Sequence, residues 1–520
     1  MPNLSSDALF QLVRSLQKSE KRAFKLFVRR GSGADDLKML QLFDAIDGLK
    51  VHSDAALMRK LGLAKKEQLA NRKVHLYKQV LACLRTLEGN THMELHLHEQ
   101  LDFARILYDR GLYLQSLKVL DRAKETARAH GQDSFCLQAL FLEKKIEGLH
   151  ITRSFKDRAQ SLAQESAGLM EALEVTSQLS SLSLELYGWY INHGHVRSAQ
   201  DEAALTAFFK SAMPTGAEKL RHFYQRLYYH QCCCWYAFIR LNFRMYYRHA
   251  QQWVDLFAAQ PHMLAVETSH YIKGVHNLLS AHFDLGNAGK FSEALAQFDA
   301  FCASDLVKKH ESNAVQAFVY GYTAKLNMHF MQGCFTAGLS LVPEIEQGLL
   351  DHAHLLDTHR VLVFYYKMAS LYFGSGNHEA TVVYLSRIIH WRTDLRSDLQ
   401  CYARLLHLIA HYELGNFKLL EYLVKSVYRF MAKMDNLGVV EDRILKFLHK
   451  SFRLTERQLL PEFEALLQEL RTLEQNKFAS RAFAYLDIIS WLESKLQRRS
   501  VQEVIREKYI CHNRSIASDK

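Results

Sequence analysis

Two stretches hold residue types that metal chemistry uses. In THMELHLHEQ, His92 and His96 stand four apart, on one face if the segment is helical, with His98 and Glu99 beside them. Two imidazoles at that spacing suit two ligands of a zinc ion. A hydrolytic zinc site also needs a third ligand and a base, and no HExxH or third ligand at a recognisable spacing accompanies the pair. These histidines read as polar surface, or as core histidines satisfied by neighbours, in a chain with 27 His. The second stretch is Cys232-Cys233-Cys234. Adjacent residues of a helix point about 100° apart, so three such thiolates do not converge on one metal; they read as small packing residues.

No Gly-rich phosphate loop, GxSxG or Cys/His pairing in a recognisable context occurs. The expected metal, cofactor and catalytic residues are none, and the chain reads as a non-enzyme. The 9 Cys are scattered, odd in number and outside any CxxC, which fits a reducing cytoplasm. No run of 18 apolar residues is present to span a membrane.

Recognition chemistry is better supplied. The segment 219–240, KLRHFYQRLYYHQCCCWYAFIR, carries an apolar stripe of Leu220, Phe223, Leu227, Cys234 and Phe238. A second stripe, His222, Arg226, Tyr229, Cys233, Tyr236 and Arg240, advances by 4, 3, 4, 3 and 4 residues. Aromatic and Arg side chains anchor peptides through ring contacts and hydrogen bonds. His222, Arg226, Tyr229, Tyr236 and Arg240 are therefore the candidate partner-binding residues, and Lys325 and Lys367 extend the face from later helices. The competing reading is structural. A helix stacked between two neighbours buries two faces, and the second stripe is then the other interface.

These side chains need helices to position them, and the clearest pair is Tyr271 to Cys302. Val275, Leu278, Leu279, His282 and Leu285 advance by 3, 1, 3 and 3, one face of a helix. Gly286-Asn287-Ala288-Gly289 interrupts it, and a second face resumes with Phe291, Ala294, Leu295, Phe298 and Phe301. Equivalent turns fall at Gly111, Arg153, Gly194, Asn242, Gly289, Gly333, Gly376 and Gly415, at spacings between 39 and 48 residues. Two residues on, an aromatic opens the second helix at Tyr113, Phe155, Phe291, Phe335 and Phe417. Three further on stand the small residues Ser116, Ala199, Ala294, Gly338 and Thr381, where helix backbones approach closely. Eight hairpins at a near-constant period predict an all-α solenoid.

GNAGKFSEALAQF, GLYLQSLKVLDRA and GNHEATVVYLSRII resemble the turn and second helix of tetratricopeptide (TPR) repeats. The period exceeds the usual 34 residues, and the Trp-x-x-Leu-Gly opening and closing Pro are missing, so the array is TPR-like. SLQKSEKRAFKLF and ARLLHLIAHYELGNFKLLEYLVKSVYRFM also resemble an uncharacterised family of bacterial cytoplasmic helical-repeat proteins. The resemblance implies a right-handed superhelix and a concave binding face. It implies no activity.

Before the array lies a basic head. Residues 1–90 hold seventeen Lys and Arg against nine Asp and Glu, while residues 91–490 are balanced. SDAALMRKLGLAKKEQLANRKVHLYKQVL has the outline of a helix-turn-helix, with Ser53 capping one helix and Gly62 ending it. In that reading Lys65, Lys66, Arg72 and Lys73 meet nucleic acid; in the plainer one the head caps the array. After Phe430 the pattern loosens. Thr455 and Gln458 make a capping box, Arg481 to Arg498 reads as the last amphipathic helix, and a polar tail follows.

The expected organisation is a head over 1–90, an array of about eight hairpins over 91–435, capping helices over 436–509 and a disordered tail over 510–520. The expected function is a cytoplasmic, non-catalytic scaffold that binds a peptide or protein partner on its concave face. The alternative is a nucleic-acid-binding regulator with a partner-sensing array. Reversing the charge of Lys65, Lys66, Arg72 and Lys73 separates them: partner capture survives in a scaffold, whereas a regulator loses salt-sensitive nucleic-acid retention in a pull-down.

Overall fold

A computed structural model describes residues 8–29, 34–89, 92–150, 157–391, 396–434, 437–451, 454–476, 478–479, 482–483 and 486–518. Those residues form helices and connections and contain no strand. Gly31-Ser32-Gly33, Arg153, Phe155 and Arg481 lie outside them. The chain divides into two compact units, 1–171 and 172–520.

In the first unit, helices α1 (Ala8–Ser15), α2 (Lys18–Arg29), α3 (Ala34–Asp47), α4 (Asp54–Leu61) and α5 (Lys66–Glu88) come first. They enclose one core around Val13, Phe24, Leu42, Phe43, Ile46, Leu57, Leu76 and Val80. Ser53 caps α4 as expected, its hydroxyl accepting from Ala56 N at 3.2 Å. Gly62 closes it in the left-handed conformation at φ 63°, where any other residue but Asn is strained. Val74 on α5 is 57% exposed.

Helices α6 (Met93–Asp109), α7 (Tyr113–Ala129) and α8 (Asp133–Leu149) share a second core with the start of α9 (Arg158–His193). Ser116 shows why its position is small. It is fully buried, and its hydroxyl donates to the Ala104 carbonyl at 2.7 Å, so α6 and α7 almost touch there. Glu143, 1% exposed, pairs with buried Lys124 and with Arg158.

In the second unit follow α10 (Ala199–Ala212), α11 (Phe223–Ile239), α12 (Phe243–Ala259), α13 (Thr268–Asp284), α14 (Ala288–Cys302), α15 (Glu311–Gln332) and α16 (Val342–Asp351). Then come α17 (Thr358–Gly374), α18 (His378–Ile389), α19 (Ser397–Glu413) and α20 (Phe417–Lys433), each packed on the next. The turns share one geometry. Gly286, Gly333, Gly376 and Gly415, with Leu241 in the same role, have positive φ, and the next helix begins two residues later. The turn residue of the central pair is thus Gly286, not Gly289, which lies inside α14. In this register Phe243 opens α12, and Asn242 is its cap rather than the turn. Two more small positions are filled tightly. Thr381 is fully buried with its hydroxyl 3.4 Å from the Ala369 carbonyl, and a Cβ on Gly338 would sit 2.9 Å from His329.

Helices α21 (Val439–Ser451), α22 (Glu456–Glu474), α23 (Ile488–Gln497) and α24 (Val501–Ser518) end the chain. The expected Thr455–Gln458 capping box opens α22. Buried Trp491 donates Nε1 to Glu413 at 2.6 Å, which ties α23 to α19. The expected last helix, 481–498, holds α23, and α24 follows as a further helix that continues to Ser518, into the stretch 510–520 expected to be disordered. Packing supplies the reason: a Cβ on Gly333 would lie 2.4 Å from Arg506 N, and Gln502 accepts from Thr336 N at 2.8 Å.

Glu143→Ala leaves the buried Lys124 ammonium with Asp121 at 3.4 Å in place of its closest carboxylate, and removing one partner of a buried pair costs about 3–5 kcal/mol. Urea unfolding followed by helix signal will show a loss of that order. Lys290→Ala, on an exposed pair with Glu293, will shift it by less than about 1 kcal/mol.

Candidate functional site

Helix α13 packs through Val275, Leu278, Leu279 and His282, all buried. Its polar residues Lys273, His276, Ser280 and Asp284 keep access to solvent. Steps of 3, 4 and 4 place them along one face of the helix, a face that neither packing stripe uses.

That face collects side chains from three other helices. The Lys273 ammonium lies 5.8 Å over the Trp235 ring of α11 and 5.1 Å over the Tyr320 ring of α15. His276 stacks on Tyr320, with ring centroids 4.1 Å apart and planes 15° apart. From α17, Lys367 donates to Asn327 Oδ1 at 2.6 Å and lies 5.5 Å from the Phe330 centroid. Asn277 accepts from the buried Tyr246 hydroxyl at 3.2 Å.

Electrostatics follow from crowding. Burial pushes the His276 imidazole well below its ordinary value, and the charges of Lys273, Lys367 and Arg360 push it further, so it is neutral at pH 7. Asp284 remains open to a water-sized probe and is still hemmed in by protein. Loss of bulk water raises its carboxyl to about 7, against the pull of Lys367. The same loss lowers Lys367 to about 8, with Asp284 opposing. Arg396, just before α19, makes a bidentate pair with Asp398 at 2.8 and 2.9 Å, and its guanidinium lies 5.6 Å over the Tyr190 ring of α9. Residues 190 and 396 are thereby neighbours.

Of the partner-binding residues expected from sequence, only Lys367 joins this cluster. Tyr236 is buried and stacked on Phe209 of α10 at 4.0 Å, with its hydroxyl 3.0 Å from Thr206. Arg240 gives Nε and Nη2 to Glu202 at 2.8 and 2.5 Å. These two serve the packing of α10 on α11, as the competing reading has it. Tyr229 lies against the rings of His230 and His249. Arg226 is half-buried, and its charge bears on His230. His222 is the exposed N-cap of α11. Lys325 turns to Asp299 of α14, at 3.4 Å.

The sequence reading passed over Lys273, His276, Tyr320, Asp284 and Trp235. Their signal was a third stripe: Tyr224, Tyr228, Gln231 and Trp235 advance by 4, 3 and 4 on α11, between the two stripes it named.

In the head, Lys65 and Lys66 are exposed and Arg72 is half-buried. Lys73 is already engaged, donating to Asp54 at 2.5 Å beside His52 at 3.2 Å. His92 is the N-cap of α6, and His98 packs edge-on against Phe135. Among the described residues no three His, Cys, Asp or Glu side chains gather as a metal ion would require, and no helix is long and apolar enough to cross a membrane. Cys232, Cys233 and Cys234 are buried, and burial raises each thiol, Cys233 to about 12. They stay protonated near pH 7, consistent with packing.

A carboxyl whose folded pKa exceeds its unfolded value takes up protons on folding, so its contribution to stability falls as pH rises through that interval. For Asp284 the interval runs from about 4 to about 7. Asp284→Asn will melt higher than the parent at pH 8, with the gap closing as pH is lowered to 4; a gap independent of pH would contradict this. No protein-family model matches the chain, and no curated protein matches its sequence.

Proposed function

We propose that this protein is a non-catalytic scaffold. In this reading the helix pairs from α6 to α20 form a TPR-like, right-handed solenoid, and its first helices hold a peptide or protein segment on their inner wall. The observation that carries the proposal is the polar face of α13. Lys273, His276 and Asp284 lie together with Trp235, Tyr320 and Lys367 from three other helices.

Three features support it. Close approach at Ser116, Gly338 and Thr381 is what stacked hairpins need. The seating of Arg396 over Tyr190 is what a curled array produces, because curling brings distant repeats together. Groups desolvated at a cost to stability, such as Lys367 and Asp284, also belong at functional sites more often than elsewhere. Anchors of the kind found here, aromatic rings beside long cations, carry most of the affinity at protein interfaces.

A photo-crosslinking residue at Tyr320, introduced into full-length protein in its native cell, tests the reading. It will give a discrete protein adduct that is missing when the same residue replaces Tyr422, which is 68% exposed on α20. Equal yields at both positions would refute an inner binding wall.

A further inference from the structure

Lys273 determines what the wall accepts. Its ammonium has ring faces on two sides and no carboxylate partner among the described residues. A cation over aromatic rings keeps its charge available for a third group, since the ring quadrupole attracts without neutralising. Arg360 and Lys367 direct their charge to the same place, because both, with Lys273, act on His276. His276 adds no charge of its own at pH 7. Against these three cations the near wall sets Asp284, opposite Lys367, and Asp357, 3.5 Å from Arg360.

We infer that the wall binds an extended acidic segment, a run of Asp and Glu side chains on a partner, with Lys273, Arg360 and Lys367 receiving ligand carboxylates. The inference rests on the scaffold reading and adds the class of partner. Helices α13, α15 and α17 pack in succession, and neighbouring axes lie roughly 8–10 Å apart. The cations are rooted on α13 and α17, yet their charges converge on His276, so neighbouring carboxylates of one segment meet them together.

Nucleic acid fits less well. Single strands bind by stacking bases on free aromatic faces along a groove of cations, whereas Tyr320 is engaged by His276 and Lys273, and Trp235 by Lys273. Any anion that takes over Lys367 removes the pull that lowers Asp284, so Asp284 accepts a proton near neutral pH. Binding of the acidic segment is therefore accompanied by proton uptake.

Fluorescence anisotropy on full-length protein at moderate salt tests this, using labelled ten-residue peptides of alternating Glu and Ser, of alternating Lys and Ser, and of Gly and Ser, with a thymidine oligonucleotide as the nucleic-acid arm. The Glu peptide will bind at least tenfold more tightly than the Gly/Ser peptide. Lys273→Glu with Arg360→Glu will weaken it at least tenfold, and Lys273→Met will do so in part without burying a new charge. Lys290→Glu with Lys308→Glu, on exposed positions, will change it less than twofold. Asp284→Asn will tighten it and abolish proton uptake measured in two buffers of different ionisation enthalpy. Equal loss in the exposed-site variant would reduce the effect to net charge and overturn the inference. Tighter binding of the oligonucleotide, lost on Lys273→Glu, would replace a protein partner with nucleic acid. If the Tyr320 adduct forms while the Glu peptide binds no better than Gly/Ser, the acidic class is wrong and the scaffold stands. If both fail, the scaffold falls too.

Discussion

Close approach of paired helices is the constraint on which the rest of the architecture depends. A tight turn leaves two helices side by side, and the distance between them is set where their backbones first touch. At Ser116 the hydroxyl donates directly into the partner backbone at Ala104, and at Gly338 a Cβ would already overlap His329 and Leu371. A large side chain at either place would lever the pair apart and open the apolar seam on both sides, and overpacking a dense interior is destabilising in its own right. The turn fixes the start of this geometry. Gly286, Gly333, Gly376 and Gly415 adopt positive φ, which reverses the chain within two residues and sets the register in which the second helix descends.

Once pairs are held this closely, each first helix has little freedom in how it divides its surface. One face meets its own partner and another meets the next pair. A third is left over. On α11 the first two faces are the stripe of Phe223, Leu227 and Cys234 and the stripe of Tyr236 and Arg240, which lies on α10. The remainder carries Tyr228 and Trp235, and on α13 it carries Lys273, His276 and Asp284. Function, where it exists in such an array, falls to the residual face because packing has claimed the others.

This division explains what was legible in the sequence. Helix content, the Ser53 cap and the Thr455–Gln458 capping box arise from local rules, and the structure has them; of the expected turns, two are displaced, to Leu241 and Gly286, and Arg153 lies outside the described residues. The candidate site was less legible. A stripe of Tyr, Arg and His at helical spacing looks the same whether it meets solvent or a neighbouring helix, and only the placement of Glu202, Thr206 and Phe209 decides for Tyr236 and Arg240. Lys325 and Lys367 are equally basic in sequence, yet one faces Asp299 and the other Asn327. The helical extent of α24 was hidden for a related reason. Residues 501–518 are polar over most of their length, and α24 docks through the short apolar set Val501, Val504 and Ile505 together with its backbone against Gly333.

Lys367, which donates to Asn327, and Asp284 act on each other through their charges. Two opposite charges that had been placed for stability alone would be expected to hold each other fully ionised. Here desolvation outweighs attraction in both, leaving the carboxyl near 7 and the ammonium near 8. Perturbed titrations of this kind occur at functional sites more often than elsewhere. A carboxylate arriving at Lys367 would favour its ammonium form and move Asp284 further toward its neutral form. A site of this kind favours a negatively charged visitor over an empty wall without needing a deep pocket, which suits a surface assembled from successive helices and not from a single cavity.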